Sequence, residues 1–161
     1  MKEHIPSTNA IRLLNQHKIN YTPMFYKYVE KGGTKVSAKE LNVSEHNVIK
    51  TIIMENDKHE YFIVLMHGDM EISTKNLARH QNAKTVTPCV PHIADKHSGY
   101  MVGGTSPFGT KSKMKTYIEE SILSLDKIYI NGGRKGMLVE MDPKDLTKLL
   151  DYELVQVGIS Q

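Results

Sequence analysis

One lysine, Lys50, stands within a strongly apolar run and is the first residue whose type and position suggest chemistry. The run covers residues 48–53, VIKTII, and its β-branched side chains predict a strand. Because side chains alternate between the two faces of a strand, Lys50 shares its face with Val48 and Ile52. Removing an ammonium group from water is costly, so this position suggests an amine that lines a cavity. An edge strand whose lysine reaches solvent would give the same pattern and remains the alternative.

Two glycine-rich segments are the second feature that could bind a ligand. Residues 103–109 read GGTSPFG and residues 131–136 read NGGRKG. Glycines allow backbone N–H groups to turn toward a ligand oxygen, and the hydroxyls of Thr105 and Ser106 add donors. The first segment is not a phosphate loop of the nucleoside triphosphatases, since its lysine is displaced by one place and Pro107 lacks an N–H. Tight turns are the alternative for both segments, and a hairpin turn is the first expectation for the second.

Charge and aromatic side chains indicate where a nucleic acid could bind. The net charge of +3 is too small to identify a nucleic-acid-binding protein by itself. Lysines alternate over residues 111–115 and predict a local basic patch, with a solvated surface as the alternative. Arg134 and Lys135, next to the second glycine pair, could attract phosphate. Aromatic residues cluster over residues 21–28 and could stack on a base, although most of them are expected in the core.

The sequence shows no pattern for a metal, a cofactor or a protein nucleophile. The eight histidines have no metal-ligand spacing, and His67-Gly68-Asp69 is too short to indicate a metal site. A single cysteine, Cys89, cannot form an internal disulfide and has no Cys–His signature around it. A GxSxG nucleophile motif is absent from the sequence. We therefore expect no metal, no cofactor and no catalytic triad.

Length and composition place the chain among ordinary globular proteins. It has 161 residues, of which 39% are hydrophobic and 24% charged, and its mean hydropathy is -0.41. These values exclude a disordered or fibrous chain, and apolar runs are too short to span a membrane. Residues 1–6 contain no apolar core of a signal peptide. We expect one domain over residues 1–161, working as a cytoplasmic monomer.

The elements that must position these residues predict an α+β fold with a mixed, barrel-like sheet flanked by helices. A capped helix from Thr8 to His17 comes first, and the two strands 48–53 and 61–67 are expected to pair as an antiparallel hairpin. The remaining expected strands are 21–28, 84–87, 100–102, 127–130, 137–141 and one near 154. The remaining expected helical segments are 37–41, 44–47, 73–78, 88–96 and 142–150. Regular βαβ winding does not fit this order.

Taken in order, three motifs resemble the YbaK/EbsC family. They are VIKTII at 48–53, GYMVGGTSPFG at 99–109 and IYINGGRKG at 128–136. Members of that family are aminoacyl-tRNA deacylases related to the editing domain of bacterial prolyl-tRNA synthetase. The resemblance runs from Thr8 to the helix expected before residue 150.

The resemblance implies a site, a substrate and partners. Lys50 corresponds to the family's pocket lysine and is implied to be catalytic. Implied substrate-binding residues are Tyr26, Thr51, Gly103, Gly104, Thr105, Ser106, Pro107, Asn131, Gly132 and Gly133. The implied partner is the aminoacylated 3′ end of tRNA, with prolyl-tRNA synthetase as a second partner, and the implied reaction removes cysteine from proline tRNA. Cysteine-specific members commonly carry serine at the position of Asn131 and aspartate at that of Leu138, so the amino acid remains open between cysteine and another small one such as alanine.

An aminoacyl ester is already activated, so an enzyme can cleave it by positioning and electrostatic stabilisation alone. Lys50 would anchor or polarise the ester end, while amides of the glycine segments would shape the oxyanion site. Either water or the thiol of a cysteine substrate would attack the carbonyl carbon. A non-catalytic module that binds the tRNA 3′ end is one alternative. A Schiff-base enzyme that uses the same lysine is another.

Overall fold

The computed structural model of the protein describes residues 4–161. Residues 1–3, which belong to the segment inspected for a signal peptide, lie outside the described residues. Its helices are α1 (Asn9–Gln16), α2 (Gly33–Leu41), α3 (Thr74–Gln81), α4 (Pro91–Ser98) and α5 (Leu146–Leu149). Its strands are β1 (Tyr21–Phe25), β2 (Val48–Asn56), β3 (Tyr61–His67), β4 (Met70–Ile72), β5 (Val86–Pro88), β6 (Thr116–Glu119), β7 (Ile128–Arg134), β8 (Met137–Met141), β9 (Tyr152–Val155) and β10 (Gly158–Ser160). Short 3₁₀ segments cover Glu45–Asn47, Glu120–Ser124 and Pro143–Asp145.

A large mixed sheet organises the fold and confirms the predicted α+β class. Seven strands follow the order β1-β8-β7-β2-β3-β6-β9, and β5 pairs with β2 beside this path. The predicted hairpin is confirmed, because β2 and β3 pair antiparallel with Lys50 opposite Met66. Strand β2 also pairs in parallel with β7, which places Lys50 on an interior strand rather than at an edge. Within the described residues β1 and β9 are the ends of the path, so the sheet is open.

Burial along β2 explains how an apolar strand carries a lysine. On one face, Ile49 and Ile53 enter the main hydrophobic core. On the other face, Val48 packs in a small cluster with Tyr129 and Leu138, while Ile52 contacts a separate cluster. Lys50 lies between these two apolar clusters and is half-buried. A strand with apolar neighbours on both faces is expected at an interior position of a sheet.

The predicted strand 21–28 is too long. Strand β1 ends at Phe25, which pairs with Met137, the first residue of β8. Beyond Phe25, strand β1 has no residue of β8 left to pair with. The N–H of Tyr26 still donates to the carbonyl of Gly136 at 3.0 Å. The chain therefore leaves the sheet at Tyr26.

The predicted strand 100–102 is wrong, because this segment is an irregular loop. The loop satisfies its polar groups locally: the N–H of Gly104 donates to the carbonyl of Met101 at 2.8 Å. The side chain of Tyr100 turns inward, and its hydroxyl donates to the carbonyl of Phe108. The first glycine pair thus follows a turn and not a strand.

The predicted hairpin turn at the second glycine pair is also misplaced. Gly132 and Gly133 lie inside β7, at an irregularity of its pairing with β8 between Asn131 and Arg134. Gly133 has a φ of +99°, which favours glycine and withdraws its N–H from the ladder. The chain reverses two residues later, between β7 and β8.

Other predicted elements differ mainly in extent. The helical region predicted to begin at residue 37 starts at Gly33, and the helix predicted for residues 88–96 starts at Pro91, a favourable first helical position. Residues 142–150 form a 3₁₀ turn followed by the short α5. The sequence does not predict strands β4, β6 and β10, which are three or four residues long.

No helix in the part of the chain that the structure describes is both long enough and apolar enough to cross a lipid bilayer.

Candidate active site around Lys50

A cavity of about 470 Å³ lies along β2, and Lys50 is part of its wall. Strand β2 supplies one wall, and the segment from Tyr26 to α2 supplies another. Loop residues after α4, together with side chains from β7 and β8, complete the lining. Six of the predicted site residues line this cavity: Tyr26, Lys50, Thr51, Gly103, Thr105 and Asn131.

The ammonium group of Lys50 is anchored at the cavity wall by a backbone contact. Its Nζ donates a hydrogen bond to the carbonyl of Met70, at the start of β4. Burial lowers the pKa of Lys50 below its ordinary value, while the nearby carboxylates of Glu45, Glu71 and Asp69 act in the opposite direction. The amine therefore loses its proton more readily than a surface lysine and keeps a fixed position.

A histidine cluster that sequence reasoning missed supports the chain next to Met70. The Nδ1 atom of His46 is 2.8 Å from Oδ1 of Asp69, and the ring of His46 stacks on that of His67 at 3.8 Å. His67 is fully buried. Its Nδ1 donates to the carbonyl of His46 at 2.8 Å, and its Nε2 lies 2.7 Å from the hydroxyl oxygen of Ser121. Burial lowers the pKa of His67, which favours the neutral ring, and in that form Nε2 accepts from the Ser121 hydroxyl.

Two further side chains line the cavity beside Lys50. The Thr51 hydroxyl is buried and has no hydrogen-bond partner among residues 4–161. Cys89 donates its S–H to Oε2 of Glu55 at 3.4 Å. Burial, with this carboxylate beside it, raises the pKa of Cys89 to about 12. The thiol is therefore held in its unreactive, protonated form.

The side chain of Asn131 joins the two glycine segments. Its Oδ1 accepts hydrogen bonds from the N–H groups of Gly133 at 2.7 Å and Arg134 at 3.0 Å. Its Nδ2 donates to the carbonyl of Gly103 at 3.3 Å. One carboxamide thus fixes the bulge in β7 and holds the first glycine segment against it. The two segments therefore meet beside the cavity through a contact that spacing alone does not reveal, and of the four paired glycines only Gly103 lines the cavity.

The first glycine pair is shaped by close contacts with the β7–β8 hairpin. Gly103 is exposed, has a φ of +98° and packs against the hydroxyl of Tyr28. A methyl group at Gly104 would stand 2.8 Å from the backbone nitrogen of Lys135, so only glycine allows this approach. The N–H groups of Gly104 and Gly133 are already donated within the protein. Of the amides expected at an oxyanion site, these two are not free for a substrate.

Five predicted substrate-binding residues lie outside the cavity lining: Gly104, Ser106, Pro107, Gly132 and Gly133. Ser106 is fully buried, and its Oγ accepts from the N–H of Phe108 at 3.1 Å. A methyl group at Gly132 would collide with Met137, and one at Gly133 with Tyr100. The structure gives these residues packing and turn-forming contacts, and their contact with a substrate stays a prediction.

The lysines predicted as a basic patch are on a different part of the surface. None of Lys111, Lys113 and Lys115 lines the cavity. Lys115 forms an exposed ion pair with Glu153 at 3.2 Å. Among residues 4–161, no group of three or more His, Cys, Asp and Glu side chains is arranged to hold a metal ion.

Comparisons with known proteins identify the family to which this chain belongs. Residues 32–149 match the model of a family described as the aminoacyl-tRNA editing domain. EbsC of Enterococcus faecalis, whose name assigns it provisionally as a Cys-tRNA(Pro)/Cys-tRNA(Cys) deacylase, is 28% identical over 153 residues, which cover 93% of this chain and 92% of EbsC. Proline–tRNA ligase of Brachyspira hyodysenteriae is 28% identical over 109 residues, which cover 65% of this chain and 19% of the ligase.

A solved structure shares the fold. It is titled as a provisionally assigned trans-editing enzyme for prolyl-tRNA synthetase, and it superposes with a TM-score of 0.80 at 16% identity, covering 97% of this chain and all of its own. The family match extends from the start of α2 to the end of α5 and includes Lys50, the first glycine segment and Asn131. The chain therefore belongs to the aminoacyl-tRNA editing domain family.

Proposed function

We propose that this protein removes a small, wrongly attached amino acid from the 3′ end of tRNA, and that cysteine on proline tRNA is its first substrate. The observation that carries the proposal is the anchored, half-buried amine of Lys50 in the cavity wall. An amine with a fixed position is suited to hold an ester carbonyl.

The cavity lining supports a reaction that needs no protein nucleophile. With Cys89 held protonated, we assign the contact with the ester to the amine of Lys50, and the hydroxyl of Thr105 is a further donor in the cavity lining. Lys50 would donate to the carbonyl oxygen or to the terminal phosphate. Water would attack the carbonyl carbon, the bond to the ribose oxygen would break, and that oxygen would leave as the ribose hydroxyl after taking a proton. With cysteine as substrate, its own thiol could replace water and leave as a cyclic thioester.

Amino-acid selectivity depends on the apolar part of the lining. Leu138 is buried at the cavity wall, near the apolar side chain of Val48. Because an apolar pocket discriminates poorly between ligands that differ by one methylene, we expect the site to accept cysteine and alanine with modest preference. The carboxamide of Asn131 is bound to three backbone groups, so we assign it to loop position rather than to side-chain recognition.

The partners and the working unit follow from the same proposal. EbsC carries a Cys-tRNA(Pro) deacylase name, and a proline–tRNA ligase contains a related segment. We therefore propose proline tRNA as the partner, acted on together with prolyl-tRNA synthetase in the cytoplasm. We also propose that residues 1–161 act as one domain, since β1 belongs to the same sheet as the strands within the family match, and that this domain works as a monomer.

The test is release of amino acid from proline tRNA charged separately with cysteine, alanine and proline. We expect release of cysteine and alanine and little release of proline. Lys50→Ala should lower kcat by about 10²–10³-fold. The control is Lys58→Ala, which removes an exposed lysine at the opposite end of the β2–β3 hairpin.

Two results would contradict the proposal. Failure to release any of the three amino acids, with the synthetase present or absent, would favour a module that only binds the tRNA end. Equal turnover by Lys50→Ala and Lys58→Ala would remove Lys50 from the reaction.

A further inference from the structure

A second cleft adjoins the cavity and contains cations that the proposed chemistry does not use. It has a volume of about 530 Å³, and its lining includes Phe25, Tyr26, Tyr28, Arg134, Lys135 and Met137. Tyr26 and Tyr28 also line the cavity that contains Lys50. We call this second cleft the basic cleft. The shared tyrosines mean that a ligand extending from the cavity past these rings would enter it.

The two cations of the basic cleft are only weakly neutralised. Lys135 Nζ lies 3.6 Å from Oε2 of Glu30, whose side chain is 72% exposed. Exposed ion pairs of this kind contribute little and are easily exchanged. Arg134 is exposed, and its guanidinium has no carboxylate within 4.0 Å in residues 4–161. Both cations can therefore face an anionic ligand.

An aromatic ring stands next to these charges. Lys135 Nζ lies 5.1 Å from the centre of the Tyr28 ring. Sites for single-stranded nucleic acids combine a cationic groove, which follows the phosphates, with aromatic rings on which bases stack. Tyr28 is half-buried, so part of its surface is open to such a base.

Close packing connects the basic cleft rigidly to the cavity. Gly103 lies against the Tyr28 hydroxyl, and Gly104 lies against the backbone of Arg134 and Lys135. Asn131 holds the same loop to the bulge that precedes Arg134. The cations, the ring and the cavity wall are thus parts of one fixed structure.

We propose that the basic cleft binds the single-stranded nucleotides that precede the aminoacylated end of the tRNA. Arg134 and Lys135 would contact their phosphates, and the Tyr28 ring would stack on a base. The inference rests on the proposed function for the nature of the ligand, but its test needs no deacylation. A free phosphate shares part of this chemistry, and the experiment separates the two.

The experiment measures binding of a fluorescent single-stranded RNA ending in 5′-ACCA-3′, by anisotropy at several salt concentrations. Arg134→Gln and Lys135→Gln should each weaken binding about five- to tenfold. Each should also reduce the salt dependence, lowering the slope of log K against log salt by about 0.7. Lys58→Gln is the matched control and should change neither. Glu30→Gln removes the competing carboxylate and should tighten binding about twofold.

The outcomes are distinguishable from those of the deacylation assay. Weaker binding in both cleft variants, at unchanged thermal unfolding, supports the inference even where no amino acid is released. Affinity and salt slope equal to those of Lys58→Gln would overturn it. A third result would also overturn the inference: millimolar inorganic phosphate displaces the RNA, and the cleft variants lose affinity for phosphate and for the RNA by the same factor. The cleft would then be a site for anions in general.

Discussion

Replacing Gly103 by alanine should disable the site more than it destabilises the protein. A methyl group at this position would stand 3.1 Å from Cζ of Tyr28 and closer still to its hydroxyl oxygen. It would also approach Cε of Lys135 at 3.3 Å. Because Gly103 has a φ of +98°, alanine there is strained regardless of the space around it.

The expected loss in the free energy of unfolding of Gly103→Ala has two parts. The left-handed backbone costs an alanine about 1–2 kcal/mol. Moving the Tyr28 ring adds about 1–3 kcal/mol if the ring is held, as in an overpacked core. Because Tyr28 is half-buried and its hydroxyl is the far end of the side chain, we expect the lower part of that range. The free energy of unfolding should therefore fall by about 2–3 kcal/mol, and displacement of Tyr28 should reduce kcat/KM by at least about tenfold.

Gly33→Ala is the matched control. Gly33 has a φ of +63°, and a methyl group there would meet nothing within 4 Å. It should lose about 1–2 kcal/mol. Gly33 also lines the cavity, but its methyl group would displace no side chain, so kcat/KM should fall by less than in Gly103→Ala. Urea unfolding and the deacylation assay, run on both variants, check the prediction. Equal stability and equal activity in the two variants would show that the contact between Gly103 and Tyr28 does not shape the site.

Three further predictions concern groups around the cavity. Burial lowers the pKa of His67 below its ordinary value of 6.5, so between these two pKa values the unfolded chain binds more protons than the folded one. The free energy of unfolding, measured in urea, should therefore fall as the pH is lowered through this window, by at most about 1.4 kcal/mol per pH unit. A His67→Asn variant with the same pH dependence would contradict this. Asn131→Asp keeps the acceptor for Gly133 but places a carboxylate against the Gly103 carbonyl, so kcat/KM should fall by about tenfold or more, whereas preserved kinetics would mean that this bridge is dispensable. The pKa of Cys89 is raised from 9.0 to about 12, which lowers the fraction of reactive thiolate at pH 8 about a thousandfold. Iodoacetamide should therefore label Cys89 about a thousandfold more slowly in the folded protein than in the urea-unfolded chain. Comparable labelling rates, measured by mass spectrometry, would refute this.

Local patterns predicted the centre of the fold correctly. The β-branched residues of β2, the polar turn after it and the apolar run of β3 are all close in sequence, so their pairing as a hairpin could be read directly. The first helix could also be predicted, because its N-cap residue lies within one turn of the residues it caps. The side-chain oxygen of Thr8 accepts a hydrogen bond from the N–H of Ile11. The resemblance to a family of tRNA deacylases, carried by three ordered motifs, is supported by the match over residues 32–149.

The errors have a common cause. Residues 100–102 have strand-forming side chains but find no partner strand, since their polar groups are satisfied in a turn. Strands β4, β6 and β10 are too short for a period-two pattern and exist because a neighbour pairs with them. The second glycine pair was read as a turn, although a hydrogen-bonded Asn131 places it in a bulge.

From the sequence alone, the chain's class and its central hairpin could be determined, and Lys50 and the glycine segments could be singled out as candidates, because each depends on residues near one another in the chain. Only the tertiary structure decided that the Lys50 amine is anchored on the carbonyl of Met70. The same holds for the contact of His46 with Asp69, next to Met70, and for the hydrogen bond by which Asn131 joins the two glycine segments. These contacts join residues 20 or more positions apart, such as Lys50 and Met70, and a contact of that length leaves no period or spacing in the sequence from which it could be read.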